Sequence, residues 1–426
     1  MKAEALHHFF LECTSISTDT RKIEPGSMFV ALKGGNFDAN TFAAEALEKG
    51  ARYVVIDNPV YNTDDRMLLV DDSLEALQQL ANYHRRQLGL PIIALTGSNG
   101  KTTTKELINA VLSQKYTTNA TIGNLNNHIG VPLTLLSFTN DTEIGIVEMG
   151  ANHQKEIEFL CTIAEPNFGY ITNFGKAHLE GFGGVEGVIK GKSELYAHLN
   201  KQNKTAFVNL DDSIQGERTN NMSRYTFAVD NYNCDVRIET VKADPMVVVK
   251  YKDTDIHSNM IGLYNSNNIN AAIAIGIFFK VSVKKIKKAI EDYVPANNRS
   301  QMVEKNGNHI ILDAYNANPS SMDAALENFS QLEANSKLVI LGDMFELGEE
   351  SLYEHKQIVQ KAAAQNIQAY FIGKDFFSNR IEQAHLAFFE SYDDFKEYFH
   401  SVKPINKTIL IKGSRGMALE RVLDLI

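Results

Sequence analysis

The chain has 426 residues, too many for one ordinary hydrophobic core, and at about 100 to 200 residues per domain it divides into two or three with clefts between them. Hydrophobic residues make up 44% and charged residues 22%, as in a globular chain, and a formal net charge of -10 disfavours broad nucleic-acid binding, which needs dense Lys and Arg surfaces. Cys13, Cys161 and Cys234 lie far apart without a CxxC pair, so neither a disulfide framework nor a zinc knot is indicated.

The opening MKAEALHHFFLEC lacks the basic end and long apolar run of a secretory signal, and no apolar stretch of roughly 18 residues could span a bilayer. A cytoplasmic protein without membrane insertion or a nucleic-acid partner is expected. Up to residue 82, the strand-like runs MFVAL and ARYVVID alternate with the turn-rich EPGS and KGGNFDAN, a small α/β unit. The helical segment SLEALQQLANYHRRQLG then leads to the apolar strand PIIALTG, with a boundary between Asn82 and Gly89.

From there strand PIIALTG, helix KTTTKELINAVLSQK, strand EIGIVEMG, helix HQKEIEFLCTIA and strand FGYITNFG predict βαβ units and a parallel sheet. After Phe207, NCDVRIETV and PMVVVKYKD predict an antiparallel hairpin, inserted before the helix NSNNINAAIAIGIFF and still within a central domain of residues 83–298. In residues 299–426, HIILDAYNA, KLVILGDM, AYFIG and TILIKGS alternate with helical stretches and predict a doubly wound, Rossmann-like third domain. The fold class is α/β in three domains.

Leu95-Thr96-Gly97-Ser98-Asn99-Gly100-Lys101-Thr102-Thr103 follows an apolar strand and precedes a helix, the setting of a phosphate-binding loop. Glycines turn backbone N–H groups onto phosphates, the helix N-terminus favours negative charge, Lys101 adds a point charge and Thr102 can ligate magnesium. Leu95 stands where the general pattern has its first glycine, so a generic nucleotidase label is loose. Glu148 ends the next apolar strand, at the sheet edge where ligands of parallel sheets collect, and its oxygens suit Mg²⁺. His178 follows another strand end and by itself reads as structural. Lys192, a lone lysine on a helix, reads as a solvated face.

Together these segments resemble the Mur ligases over nearly the whole chain. TGSNGKTTTKE, TIGNLNNHIGVPLTLL, VEMGANHQKEI, ITNFGKAHLEGFGG, KGKSELY, MIGLYNSNNINAAIA, NNRSQ, DAYNANPSSM, LGDMFELGEES and KGSRGMALE fall in the family's order. Within the family, DAYNANPSSM and LGDMFELG look like the member that adds D-alanyl-D-alanine. STDTRKIEPGSMFVALKGGNFDANTF is similar to its uridine-binding first domain, with Ser17, Asp19 and Arg21 in matching positions.

The resemblance implies two Mg²⁺ ions and a carbamylated Lys192 that, with His178, holds the second, reversing the solvated-face reading. It implies that Asn268 contacts adenine and that Arg299 and Asp313 lie around the ATP phosphates and ribose. Asn124, Asn126 and Asn127 would face the muramoyl substrate, and Tyr315, Asn316 and Asn318 the incoming dipeptide. Tyr264, His128 and the segment ANNRSQ depart from the family's usual residues beside these contacts.

The implied reaction is ATP-dependent addition of D-alanyl-D-alanine to a UDP-N-acetylmuramoyl tripeptide through an acyl phosphate, catalysed by a monomer whose third domain swings toward the central one when ATP binds. A Mur ligase adding one amino acid, a folate polyglutamate ligase and a P-loop kinase are the alternatives.

Overall fold

Ile92–Thr96 is buried at every residue, and an apolar run covered on both faces suits a central parallel strand. In the computed structural model, which describes residues 1–334 and 336–426, this strand sits inside a seven-stranded sheet. Its spatial order is Val236–Ile238, Arg224–Val229, Thr205–Asn209, Phe168–Ile171, Ile92–Thr96, Ile144–Glu148, Thr118–Ala120. All neighbouring pairs are parallel. Because the chain leaves Ile92–Thr96 toward one edge and later crosses to the other, a crevice opens at the carboxyl ends of the strands around it. The candidate phosphate loop of Gly97 to Lys101 emerges into that crevice.

The predicted hairpin after Phe207 is corrected in part. Thr240–Ala243, Met246–Tyr251 and Thr254–Ile261 form a three-stranded antiparallel sheet, but Val236–Ile238 extends the parallel sheet instead. The Asp235 carboxylate accepts from both N and Oγ1 of Thr226 at 2.7 Å, which ties the chain alongside Arg224–Val229 in parallel register.

The first domain carries four short parallel strands, Ile16–Ser17, Met28–Val30, Tyr53–Ile56 and Met67–Leu69. The helix Ser73–Leu88 follows, capped by the Asp72 side chain on Glu75 N and ended by Gly89 at φ 64. Its buried face packs on helix Ala3–Leu11 of the first domain and on helices Gly130–Leu136 and Glu156–Ala164 of the central one. A boundary at residue 82 would cut this helix, whose hydrogen-bonded end is Gly89.

The third sheet runs Gln301–Lys305, Asn308–Asp313, Thr408–Lys412, Lys337–Gly342, Gln368–Ile372, Leu386–Phe389. Its first pair is antiparallel and the rest are parallel. The doubly wound expectation therefore holds, with one antiparallel edge strand added. Among the described residues no helix is long and apolar enough to cross a membrane.

Candidate active site

Two glycines shape the phosphate loop. At Gly97, with φ 139, a Cβ would lie 2.0 Å from Thr172 Oγ1, and at Gly100, with φ 78, one would lie 2.5 Å from Asn268 Oδ1. Side chains behind the loop hold it from the next strand end: Thr172 Oγ1 donates to Asn99 O at 2.5 Å, Asn99 N donates to Asn173 Oδ1 at 3.1 Å, and Ser98 Oγ donates to Gly175 O at 2.6 Å. Helix Lys101–Leu112 starts with no side-chain cap, so its first N–H groups face the crevice unpaired by any cap. Lys101 Nζ folds across the loop to Gly97 O at 2.7 Å and Ser98 O at 3.3 Å, and burial lowers its pKa. Thr102 and Thr103 are buried beneath the loop.

Glu148 is only 1% exposed. Its Oε1 accepts from Asn126 Nδ2 at 2.8 Å, but among the described residues the buried Oε2 has no hydrogen-bond partner. Lys105 Nζ lies 3.9 Å from that oxygen and donates to Thr121 O at 2.6 Å, and burial lowers the Lys105 pKa. A buried anionic oxygen left without a donor is what a hard cation beside the phosphate loop would complete.

His178 lines the crevice in a left-handed backbone, φ 53, and its Nδ1 meets Glu346 of the third domain. The Lys192 solvated-face reading is corrected, because helix Val185–Lys201 packs on Glu156–Ala164 and encloses the side chain completely. Its Nζ donates to Ala151 O at 3.1 Å and sits 4.9 Å over the Phe182 ring. Burial first, and the nearby Lys101 charge second among the lowering causes, push its pKa well below the ordinary lysine value. Lys192 stands behind the crevice wall at Ala151 rather than in it. Among the described residues no three His, Cys, Asp or Glu side chains gather as a ready metal cluster.

The crevice is a cavity of about 1140 Å³ walled by the central and third domains, with Leu74 and Gln78 of helix Ser73–Leu88 also lining it. Arg299 stacks on the Tyr315 ring at 3.6 Å. Asp313 accepts from Ser300 N at 3.0 Å and from Lys412 Nζ at 2.6 Å. Asn316 and Asn318 line the same wall, and Asn124, Asn126 and Asn127 line the opposite one. Asn127 Oδ1 accepts from Ile129 N and Gly130 N at 3.1 and 2.8 Å, so it also starts helix Gly130–Leu136.

Asn268 lines the cavity with its amide engaged at both ends, accepting from Thr104 Oγ1 and donating to Asn265 Oδ1, each at 2.9 Å. Tyr264, one of the departures, bonds Ser300 Oγ at 3.1 Å. The third domain is seated on the central one by Asn318 on Asn99, by Lys176 N on Ser320 Oγ at 2.8 Å, and by Lys176 Nζ on Glu354 at 2.6 Å.

Ser17, Asp19 and Arg21 do not join this cavity. They sit together in the first domain, with Arg21 forked onto Asp19 at 2.9 and 2.8 Å and Ser17 Oγ donating to Asp19 O at 3.0 Å. The Arg21 hydrogen bonds hold the Asp19 carboxyl down at about 2. Sequence reasoning passed over Lys105, Asn173, Glu346 and Lys412, although each lies inside a segment that carried the resemblance.

Three family models match along the chain: "Mur ligase family, catalytic domain" over residues 12–85, "Mur ligase middle domain" over 95–276, and "Mur ligase, glutamate ligase domain" over 298–415. The chain is 35% identical to the "UDP-N-acetylmuramoyl-tripeptide--D-alanyl-D-alanine ligase" of Bacillus subtilis (strain 168), over 96% of this chain and 93% of that protein. It belongs to the Mur ligase family. The Escherichia coli (strain K12) ligase of the same name is 34% identical, over 96% of this chain and 92% of that one.

A MurF crystal structure from Acinetobacter baumannii superposes on this Mur ligase with a TM-score of 0.87 at 31% identity, covering 100% of this chain and 98% of that one. Thermotoga maritima MurF ligase in complex with ADP gives 0.84 at 26% identity, covering 98% and 97%. The three-domain architecture is thus that of a Mur ligase, and such ligases form amide bonds with ATP.

Proposed function

We propose that this Mur ligase joins the amine of D-alanyl-D-alanine to the terminal carboxylate of a UDP-N-acetylmuramoyl tripeptide, using ATP and an acyl phosphate intermediate. The observation that carries the reading is one cavity in which the phosphate loop, the unpartnered Glu148 Oε2 and the third-domain wall of Arg299 to Asn318 face each other. Full-length likeness to ligases named for that substrate pair supports it.

A carboxylate is a poor electrophile because hydroxide leaves badly. Its oxygen would attack the γ-phosphorus of ATP, and the bond from that phosphorus to ADP would break. Lys101 and the open N–H groups of helix Lys101–Leu112 would offset the charge gathering on the phosphate oxygens, with Arg299 facing them from the third domain. The neutral amine of the dipeptide then attacks the acyl carbon, loses its proton, and the carbon–oxygen bond breaks to release phosphate.

Thr102, Glu148, His178 and a carbamylated Lys192 would hold two Mg²⁺ ions, which would supply further neutralisation of phosphate charge. The fit at Lys192 rests on its depressed pKa, since only a neutral amine can take up carbon dioxide, and on the length a carbamate would add toward the wall at Ala151. Asn268 serves the adenine side, Asp313 the ribose side, and Ser17, Asp19 and Arg21 the uridine end. A cytoplasmic monomer is the proposed working unit.

Closure of the third domain over ATP would keep water from the acyl phosphate. Small-angle scattering that is the same with and without an ATP analogue and substrate would count against a swing.

The reading is tested by phosphate release with ATP, Mg²⁺, UDP-N-acetylmuramoyl tripeptide and D-alanyl-D-alanine, each omitted in turn. Release that needs all components, with a product of pentapeptide mass, is expected. Release that needs a single amino acid instead of the dipeptide would move the chain to another substrate, and release that needs neither would end the ligase reading.

A further inference from the structure

Glu346 lies in the third-domain loop after strand Lys337–Gly342, and its carboxylate meets Nδ1 of His178 at the start of the short central-domain helix Leu179–Phe182. Both residues have left-handed backbones, φ 62 for Glu346 and φ 53 for His178. Only a few per cent of residues other than glycine adopt that conformation, histidine more readily than most, and strained positions of this kind cluster at functional sites. The main chain reinforces the joint. Glu180 N donates to Glu346 O at 3.3 Å, and Gly348 passes so close that a Cβ there would stand 3.2 Å from Cβ of Glu180.

A neutral imidazole carries one proton, and a carboxylate at Nδ1 places it there. Nε2 is then left as a lone-pair donor and the ring cannot turn freely, the arrangement that carboxylates give to cation-binding histidines. Here the carboxylate comes from a different domain than the imidazole.

We propose that Glu346 is a positioning residue which, from the third domain, sets His178 as a cation ligand, so that this part of the site is complete only when the two domains are docked. The proposal rests on reading the cavity as a magnesium-dependent amide ligase site. Binding and docking are then linked in both directions: a cation held by His178 favours the docked state, and docking favours the cation.

The test uses the full chain with a non-hydrolysable ATP analogue and Mn²⁺, followed by electron paramagnetic resonance, in the unaltered protein, Glu346→Ala, Glu346→Gln, His178→Ala and Glu346→Ala with His178→Ala. Glu346→Ala is expected to weaken Mn²⁺ binding about 10- to 100-fold. Glu346→Gln, which keeps the shape and an acceptor oxygen, should recover part of the loss. In the His178→Ala background the Glu346 change should add nothing, because it acts through that ring.

Unchanged Mn²⁺ binding in Glu346→Ala, or a loss that adds in full on top of His178→Ala, would overturn the proposal. Absent turnover in the unaltered chain is a separate result, read in the phosphate assay, and would overturn the functional reading instead.

Discussion

Asn318 of the third domain donates from Nδ2 to Oδ1 of Asn99, inside the phosphate loop of the central domain, at 2.7 Å. Its own Oδ1 accepts from Ser321 N at 3.0 Å and caps helix Pro319–Gln331. One amide therefore serves a helix end and a domain joint. Asn318→Asp keeps the cap acceptor but turns a carboxylate toward the phosphate loop. It should leave thermal unfolding nearly unchanged while raising the KM for ATP about tenfold, roughly 1.4 kcal/mol. Asn318→Ala should in addition lose about 1 kcal/mol of stability with the cap. Steady-state kinetics and thermal melts separate the two effects.

Lys192 is enclosed with no carboxylate among the described residues bonded to its amine, and burial depresses its pKa below 10.5. In its unmodified form, between the folded and unfolded pKa values the folded state binds fewer protons, so this lysine costs stability increasingly as pH falls below about 10.5. Lys192→Met should raise stability at neutral pH by about 1–4 kcal/mol and abolish amide formation. The gain should shrink as melts are taken toward pH 10.5. Lys192→Ala with a short carboxylic acid should regain part of the activity; no rescue would weaken the carbamate role.

His7 and His84 form a buried pair with Nε2 of His7 and Nδ1 of His84 3.0 Å apart, and His84 Nε2 reaches Phe138 O at 2.9 Å. Burial lowers both pKa values from 6.5. With depressed folded values, the unfolded chain takes up protons first, so stability is full above about pH 6.5 and falls as pH drops below it. Melts between pH 8 and pH 5 are expected to show that fall. His84→Gln, which can still donate to Phe138 O, should flatten it, and an unaltered slope would point to other groups.

Gly97→Ala would place a methyl carbon 2.0 Å from Thr172 Oγ1 and 2.9 Å from Thr172 N, at φ 139. The backbone cost alone is about 1–3 kcal/mol. Binding of an ATP analogue, followed by calorimetry, should be lost. Adding Thr172→Ala removes the hydroxyl but not the backbone contact, so it should rescue stability only in part.

The phosphate loop was legible because its chemistry is local, with strand, glycines, Lys101 and helix within one short run. Glu148 was legible for a related reason, as the acid that ends the adjoining strand. Lys192 was not, since its burial depends on how helix Val185–Lys201 packs against a neighbour, and one helix read alone looks the same with either face outward. Glu346 and Lys412 escaped because their partners, His178 and Asp313, are 168 and 99 residues away in sequence. The strand Val236–Ile238 was misassigned because its own residues do not show which sheet it joins; its parallel pairing with Arg224–Val229, beside the Asp235 bonds to Thr226, appears only in the fold.

The helix Ser73–Leu88 runs unbroken from the first domain onto the second, 16 residues and so about 24 Å long, with Arg85 Nε bonded to Ala164 O at 2.7 Å. On the other side, the chain enters the third domain through a non-helical stretch in which Asn297, Asn298 and Ser300 all have positive φ, at 59, 58 and 49. One junction is thus a continuous helix and the other a non-helical turn, tied down by Tyr315 N on Asn298 O at 3.1 Å and Ser300 N on Asp313 Oδ1 at 3.0 Å. Any rotation of the third domain that the proposed closure requires would fall on that second junction, where no helix would have to bend.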